Sequence, residues 1–300
     1  MNKFAVLAIL ALIVTAPLAL ADCCGIPFIP MVEVYEPDQR AMIAYNGREE
    51  ILLLCQDIKV SKATKVLEVL PLPSEPKVAK GNFDAFVKAT ALINNKLGRV
   101  AMPAATGAPG AAGGGGNFVP PPAGEVTFHD KIGSHDISVT HVLNLRGFVD
   151  WVEGYLRKSG VDNPAIPDPM KAVVGDYLRD RYQWFVFDVV DLSTEVKTKE
   201  AIQYRFATRF LYYPMRITRS EQGDTKVRLL VLSPELVHLP NFGGDRFRVA
   251  HKPIRITPAE VRSLGNDEMT ELFEGRDCWL RIWEVNGRLS AFTKDIVTSW

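Results

Sequence analysis

The sequence has few of the features that identify an enzyme or a nucleic-acid-binding protein. It contains 5 histidines and 4 cysteines in 300 residues, and it has no GxSxG, HExxH or CxxC pattern. Its 35 basic and 35 acidic residues cancel, and the basic residues are scattered along the chain. A nucleic-acid partner needs a basic stripe to offset phosphate charge, so none is expected. A zinc-protease motif and a local zinc ribbon are absent as well.

Long apolar runs are also scarce, because the sequence has a single one, at residues 4–21. The run follows Lys3, is broken by Pro17 and ends in the small-x-small sequence 19–21. This pattern predicts a secretory signal peptide over residues 1–21. We therefore expect an exported protein, periplasmic or extracellular, with no integral membrane segment after cleavage.

Two alternatives to cleavage stay open. The first is an uncleaved anchor, although the run before Pro17 has about 13 residues and a bilayer span takes about 20. The second is a lipoprotein attached through Cys23, although Asp22 is a charged residue where that processing usually needs a small uncharged one.

Four cysteines follow the predicted signal peptide, and their even number in an oxidising compartment suggests disulfide bonds. They are Cys23, Cys24, Cys55 and Cys278. Adjacent cysteines rarely bond to each other, so we expect one of the first two to pair with one of the last two. The alternative for Cys55 is a buried thiol within an apolar strand, and a zinc site built from the four is weaker still.

Strands and hairpins dominate the rest of the chain. Asn46 and Gly47 separate two apolar segments, 39–45 and 48–55, which is typical of a β-hairpin with a tight turn. Further strands are predicted at 65–70, which alternates well, at 184–190, which is very apolar, and at 125–130, 135–143, 202–210, 226–232 and 278–285, with a turn at 286–287. Apolar residues at helical spacing predict helices at 82–97, 145–158, 170–181, 258–273 and 293–300. This order favours an α+β fold, a mostly antiparallel sheet with a few packed helices.

Residues 103–124 are almost wholly alanine, glycine and proline, which predicts a flexible loop that cannot bury enough surface to order itself. Without a GK[ST] ending, its glycine run does not match a phosphate-binding loop. We expect a main α+β domain over 22–232, interrupted by this loop, and a C-terminal extension over 233–300 that packs on it.

At this point the chain resembles an uncharacterised family of exported bacterial and archaeal proteins, domain of unknown function 2330. The resemblance covers most of the chain from Cys24 to about residue 232, and its elements are 24–25, 39–45, 69–73, 132–133, 151–155, 184–187 and 213–217. It implies one exported α+β domain with no agreed activity, and it brings no catalytic residues with it.

Histidines and carboxylates cluster once, at His129, Asp130, His135 and Asp136, with His141 further along. Imidazole and carboxylate together can hold zinc or a similar ion. Six residues of strand separate His135 from His141 by roughly 20 Å, so these two cannot share an ion. A turn at 131–134 could join the other four into a metal site, whereas the simpler interpretation is solvated turn residues.

Other segments have equally plain interpretations. The aromatic stretches 182–187 and 204–214 could line a groove for a sugar or an apolar ligand, but strands favour aromatic residues for core packing. The core interpretation includes Trp151 and Trp184.

Prolines in 71–76 and 120–122 could dock a partner, and a rigid turn is the simpler expectation for the first of these two segments. The neighbouring acids at 49–50 and 267–268 suggest surface charge, although a catalytic acid pair can be distant in sequence.

The sequence therefore favours an exported, non-enzymatic protein that binds a cell-envelope partner or ligand, or has a structural role there. No cofactor is expected. The alternatives are an extracytoplasmic hydrolase without a recognisable motif and, behind it, a metal-dependent protein that uses the region from His129 to His141.

Overall fold

The computed structural model describes residues 24–29, 32, 34–98, 124–198, 200–221, 223–242 and 246–300. The predicted signal peptide, Cys23 and residues 103–123 of the predicted loop lie outside these ranges, and Gly124 begins a strand. The strands are β1 (Cys24–Pro27), β2 (Val34–Tyr45), β3 (Glu49–Val60), β4 (Thr64–Leu72), β5 (Lys77–Lys80), β6 (Gly124–Ile132), β7 (His135–Val142), β8 (Trp184–Leu192), β9 (Lys197–Thr198), β10 (Ile202–Ala207), β11 (Leu211–Tyr213), β12 (Asp224–Ser233), β13 (Phe247–Val249), β14 (Ile254–Ile256), β15 (Cys278–Arg288) and β16 (Ile296–Thr298). The helices are α1 (Asp84–Leu97), α2 (Leu145–Lys158), α3 (Asp168–Arg179), α4 (Pro258–Ser263) and α5 (Asp267–Leu272).

Two large sheets form the centre of the structure. One has five strands in the order β1-β4-β8-β7-β6, and the other has the order β13-β15-β12-β2-β3-β10-β5, with β14 beside β15 and β9 beside β3. A small third sheet pairs β11 with β16. In the described ranges every strand pair is antiparallel except β2 with β12. The protein is thus sheet-rich and mostly antiparallel with five described helices, which fits the predicted α+β class.

The two large sheets face each other and carry helices on their outer faces. Side chains such as Leu70, Val186 and Leu229 fill the space between the sheets. Helices α2 and α3 cover the outer face of the five-stranded sheet, and α1, α4 and α5 cover the outer face of the nine-stranded sheet. Successive side chains in a strand point to opposite faces, so a strand covered on both faces must be apolar throughout. Strand β4 follows this rule except at buried Glu68, with Leu67 packing toward the helices and Leu70 toward the other sheet.

The first hairpin and the amphipathic helices are confirmed. Strands β2 and β3 pair across a short turn, with Tyr45 opposite Glu50 and Gly47 at a φ of 91°. A positive φ of this kind is the conformation that glycine supplies without strain. Helix α2 covers residues 145–158 as predicted, and Asn144 caps it by accepting a hydrogen bond from the Gly147 N–H at 2.8 Å.

The predictions were wrong in the C-terminal part. The helix expected over 258–273 is two short helices, interrupted near Gly265, whose φ of 79° ends the first of them. No turn occurs at 286–287, because β15 continues to Arg288 and pairs there with β12. Residues 293–300 are not a helix, since β-branched Ile296 and its neighbours form β16 against β11.

Residues 233–300 contribute directly to the nine-stranded sheet. Strand β15 lies between β13 and β12, and ten of its residues pair with β12 from Asp224 to Ser233. The tail therefore completes the edge of the sheet that β12 would otherwise expose.

Trp151 and Trp184 differ in burial, so we expect their truncation to differ in cost. Trp151 is 1% exposed and stacks on Phe187 with ring centroids 4.1 Å apart, whereas Trp184 is half-buried and stacks on His141. Trp151→Ala should lower the free energy of unfolding by about 3–5 kcal/mol, and Trp184→Ala by clearly less. Chemical denaturation with both variants measures this, and equal losses would contradict the assignment of Trp151 as the core residue of the pair.

Candidate functional site: a basic groove around Tyr182

The structure separates the histidines that were candidates for a metal site. His129 and Asp136 lie together on one face of the β6–β7 hairpin, with 3.3 Å between Nε2 and Oδ1. The other ring nitrogen of His129 lies 2.7 Å from the Ser138 hydroxyl. His135 lies on the opposite face because side chains alternate along β7. Asp130 accepts a hydrogen bond from the backbone N–H of Lys131 at 2.7 Å.

His135 is buried between the two sheets and has oxygen acceptors on both sides of its ring. Its Nδ1 lies 2.5 Å from Asp188 Oδ2, and its Nε2 lies 3.2 Å from the carbonyl oxygen of Glu200. A metal would therefore have to displace one of these contacts. In the described part of the chain, no group of three or more histidine, cysteine, aspartate or glutamate side chains is arranged to hold a metal ion.

A small cavity lies beside this pair. It has a volume of about 20 Å³ and is lined by His135, Asp188, Glu68 and Glu200 among apolar neighbours. Such a volume is enough for about one water molecule. The cavity is therefore part of the polar packing between the sheets and is too small for an organic ligand.

The cysteines whose side chains are described are buried. Burial raises the pKa of the Cys278 thiol to about 12, so the reactive thiolate is suppressed at neutral pH. Cys55 is buried in the nine-stranded sheet. No disulfide bond occurs between described side chains, and Cys23 lies outside them, so the predicted pairing of Cys23 or Cys24 with Cys55 or Cys278 stays a prediction.

The acid pairs noted in the sequence are held within the fold. Arg205 binds Glu49 at 2.8 Å and Glu268 at 3.6 Å. Glu50 is fully buried, and this burial raises its pKa well above the usual range despite a hydrogen bond from the Tyr212 N–H. Glu49 and Glu268 therefore form ion pairs with Arg205, and Glu50 is enclosed within the core.

A larger concave surface lies at the end of the molecule that carries the β2–β3 turn. We call it the Tyr182 groove. It has two lobes that share Asp180 and Tyr182. The arginine lobe has a volume of about 610 Å³ and includes Arg48, Arg181, Arg209 and Phe210. The mixed lobe has a volume of about 320 Å³ and includes Arg216, Asn241, Lys294, Asp295 and Val297.

The end of α3 places Tyr182 where the two lobes meet and Arg181 in the arginine lobe. The Tyr182 N–H donates to the Tyr177 carbonyl at 2.9 Å, and the Arg181 N–H donates to the Leu178 carbonyl at 3.1 Å. This is the Schellman arrangement that ends a helix, in which the residue after the cap takes a left-handed conformation. Here that residue is Arg181, with a φ of 67°, where glycine is usual.

The other two arginines come from loops that are tied to each other. Arg48 lies in the β2–β3 turn, where its N–H donates to the Asn46 side chain at 2.9 Å. Arg209 lies between β10 and β11, and its carbonyl accepts a hydrogen bond of 2.6 Å from the Tyr45 hydroxyl. The Thr208 N–H donates to the Arg48 carbonyl at 2.9 Å, which holds the two loops together.

The three arginines of the arginine lobe are exposed and have no carboxylate partner in the part of the chain that the structure describes. The contrast with Arg216 is direct. Arg216 contacts both Asp180 and Asp295 and lies 4.1 Å from the centre of the Tyr177 ring. Although burial lowers the pKa of Arg216, the hydrogen bond to Asp180 and the charge of Asp295 raise it more, so this residue stays charged.

Aromatic rings support the floor of the groove. Tyr182 stacks on Tyr212 with ring centroids 5.4 Å apart and meets Tyr177 edge to face with centroids 5.6 Å apart. Tyr212 is buried and donates to the Pro71 carbonyl at 3.1 Å. Most aromatic residues of the two predicted stretches are core residues, and Tyr182 and Phe210 are the ones that reach the groove.

Sequence reasoning missed the three arginines. They lie at positions 48, 181 and 209, each as one basic residue among many, and no local pattern connects them. Arg181 was predicted as the last residue of the helix 170–181, whereas α3 ends at Arg179, so the sequence did not mark Arg181 as a residue beyond the helix cap.

Comparisons with known proteins identify the family of this chain but say little about the role of the groove. No curated protein matches the chain. Among solved structures, a mutated baculovirus P35 after caspase cleavage aligns over 88% of this chain and 99% of its own, with 10% identity and a TM-score of 0.38, which is too low to show a shared fold. The family described as uncharacterised proteins conserved in bacteria matches residues 18–298, so the similarity extends through the C-terminal part of the chain. The chain therefore belongs to this family, domain of unknown function 2330.

Proposed function

We propose that the protein is an exported binding protein of the cell envelope and that its Tyr182 groove holds an anionic ligand. One observation carries the proposal. Arg48, Arg181 and Arg209 come from three separate segments, converge on one lobe and have no carboxylate partner among the described residues.

Convergence of three cations has an electrostatic cost, because Asp180, the carboxylate that also lines this lobe, is paired with Arg216. Like charges in one concavity repel each other, and the same field attracts an anion. The chain as a whole carries 35 charges of each sign, so this excess is local. Guanidinium groups present a planar fork of donors that matches carboxylate and phosphate oxygens. The arginine lobe is therefore suited to a ligand with one or more of these groups.

Backbone strain at Arg181 supports the same assignment. A left-handed conformation costs an L-residue about 1–2 kcal/mol, and glycine would avoid this cost. Arg181 holds this conformation at a φ of 67° and is one of the residues that line the arginine lobe. Strained residues often occur at binding sites, where the ligand contact offsets the cost.

Binding is favoured over the alternative of a hydrolase. A catalytic acid pair needs carboxylates that can exchange protons with a substrate. Burial raises the pKa of Asp295, but its Oδ1 accepts hydrogen bonds of 2.7 Å from both the Tyr177 hydroxyl and the Arg216 N–H. Asp180 is in contact with Arg216. Both groove carboxylates are thus engaged in holding the wall together.

Export is supported by the pattern of residues 1–21, with its basic start, apolar run and small-x-small ending. The compartment we propose is the periplasm or the cell exterior. None of the helices in the described ranges combines the length and the apolar character that a membrane span requires.

Titration with inorganic triphosphate tests the anion site. We expect the unmodified protein to bind this soluble polyanion at low ionic strength, and Arg48→Gln and Arg209→Gln each to weaken the affinity about fivefold to tenfold through loss of charge-assisted hydrogen bonds. Isothermal titration calorimetry gives the Kd. Arg262→Gln is the matched control, because Arg262 is an exposed arginine on α4, which packs on the other side of the nine-stranded sheet. Equal weakening by the control would show unspecific attraction and contradict the site.

Arg181→Gly separates the binding role of this residue from its structural effect. We expect the variant to be more stable by about 1 kcal/mol, because the left-handed strain is removed, and yet to bind triphosphate more weakly. Asn163→Gly is the control, since Asn163 also has a positive φ, of 48°, and carries no charge. Thermal denaturation and the same titration measure both properties. If Arg181→Gly bound triphosphate with unchanged affinity, Arg181 would not be a ligand-binding residue.

Intact-mass measurement of the protein recovered from outside the cytoplasm tests export. We expect a mass that begins at Asp22, as cleavage after Ala21 requires. A mass deficit under non-reducing conditions would support the predicted disulfide. Recovery of the full-length mass from the cytoplasm would contradict export.

A further inference from the structure

We infer that the anion held in the Tyr182 groove is the headgroup of an acidic phospholipid, and that this end of the molecule docks on an anionic bilayer surface. The inference rests on the proposed anion site and names the source of its ligand. It is carried by exposed apolar side chains that surround the groove.

Large exposed hydrophobic residues are concentrated at the groove. Eight of them occur in the described ranges, and five belong to segments that line the groove or adjoin it. These five are Phe210, Leu236, Leu239, Val297 and Trp300, with exposed fractions between 42% and 53%. Exposed hydrophobic residues that occur singly are ordinary, whereas a group of them next to unpaired cations indicates an interaction surface.

The arrangement brings these side chains to both lobes. Phe210 lines the arginine lobe and Val297 lines the mixed lobe. Trp300 packs on Tyr45, with ring centroids 5.0 Å apart, directly beside the β2–β3 turn that carries Arg48. The apolar groups therefore border the basic lobe and do not form a separate patch.

A short loop completes the apolar border. Residues 236–239 lie against β16, where the His238 N–H donates to the Ser299 carbonyl at 2.8 Å and the Thr298 hydroxyl donates to the His238 carbonyl at 2.9 Å. These bonds hold Leu236 and Leu239 in exposed positions beside Pro240, which lines the mixed lobe.

Membrane interfaces favour this combination of side chains. Tryptophan and phenylalanine pack at the level of the headgroups, and arginine places its stem on apolar surface while its charge contacts phosphate. Basic residues near an anionic surface add electrostatic attraction. Exposed Lys294 beside the mixed lobe contributes in the same direction.

A soluble polyanion, such as an acidic glycan, accounts for fewer of the observations. It would use the arginines and could stack on Tyr182, but it would leave Leu236 and Leu239 without a function, because neither lines the groove. A bilayer surface would contact both the arginines and the apolar border. We therefore favour a phospholipid headgroup over a soluble polyanion as the source of the anion.

Flotation with lipid vesicles tests the inference. We expect the protein to float with vesicles of phosphatidylcholine that contain phosphatidylglycerol and much less with phosphatidylcholine alone. The variant Leu236→Ser/Leu239→Ser should bind the anionic vesicles about tenfold more weakly, because two partly inserted side chains lose their apolar contact. Its Kd for inorganic triphosphate should be unchanged.

Val87→Ser/Val196→Ser is the matched control. It also removes two exposed apolar side chains, one on α1 and one near β9, which pairs with the end of β3 that lies away from the turn. We expect this control to float like the unmodified protein.

The outcomes separate the two proposals. Triphosphate binding without flotation, or flotation that Leu236→Ser/Leu239→Ser leaves unchanged, would overturn the membrane inference and leave the anion site, which would then point to a soluble polyanion. Failure to bind triphosphate would overturn both, even if the protein floated, because the headgroup contact was inferred at the arginine lobe.

Discussion

One buried carboxylate connects the segments on which the groove depends. Asp295 accepts hydrogen bonds from the Tyr177 hydroxyl and the Arg216 N–H, and its charge faces the Arg216 guanidinium. The three residues belong to α3, to the 3-10 helix Arg216–Ser220 and to the segment that leads into β16. A buried charge is tolerated only when its partners are in place, so these bonds hold three distant parts of the chain in one arrangement.

This anchor determines where the floor of the groove lies. Tyr182 is five residues beyond Tyr177, and the hydrogen bonds at the end of α3 leave the connecting backbone little freedom. Stacking of Tyr182 on buried Tyr212 fixes the ring from the other side. A site supported by packed rings and paired charges needs little reorganisation to accept a ligand, which lowers the entropic cost of binding.

Local patterns predicted much of the fold and little of the site. The apolar stripe of α2 and the Asn46–Gly47 turn were sufficient to locate a helix and a hairpin, because both depend on residues that are neighbours in sequence. Strand β16 was missed because its partner β11 lies about 85 residues earlier, and such pairing leaves no periodic trace. The arginine lobe was missed for the same reason, since its residues come together only through the folded sheet.

Some arginines of this protein have carboxylate partners and others do not. We use this difference to distinguish arginines that stabilise the fold from those proposed to bind a ligand. Arg216 has Asp180 and Asp295, and Arg205 has Glu49 and Glu268, so their fields are largely cancelled within the fold. The three arginines of the arginine lobe keep their fields, because no described carboxylate lies against them. An arginine whose charge is already paired stabilises one arrangement of the chain. An unpaired cluster beside exposed apolar groups does little for stability, which is the reason why we propose a binding role for the arginine lobe.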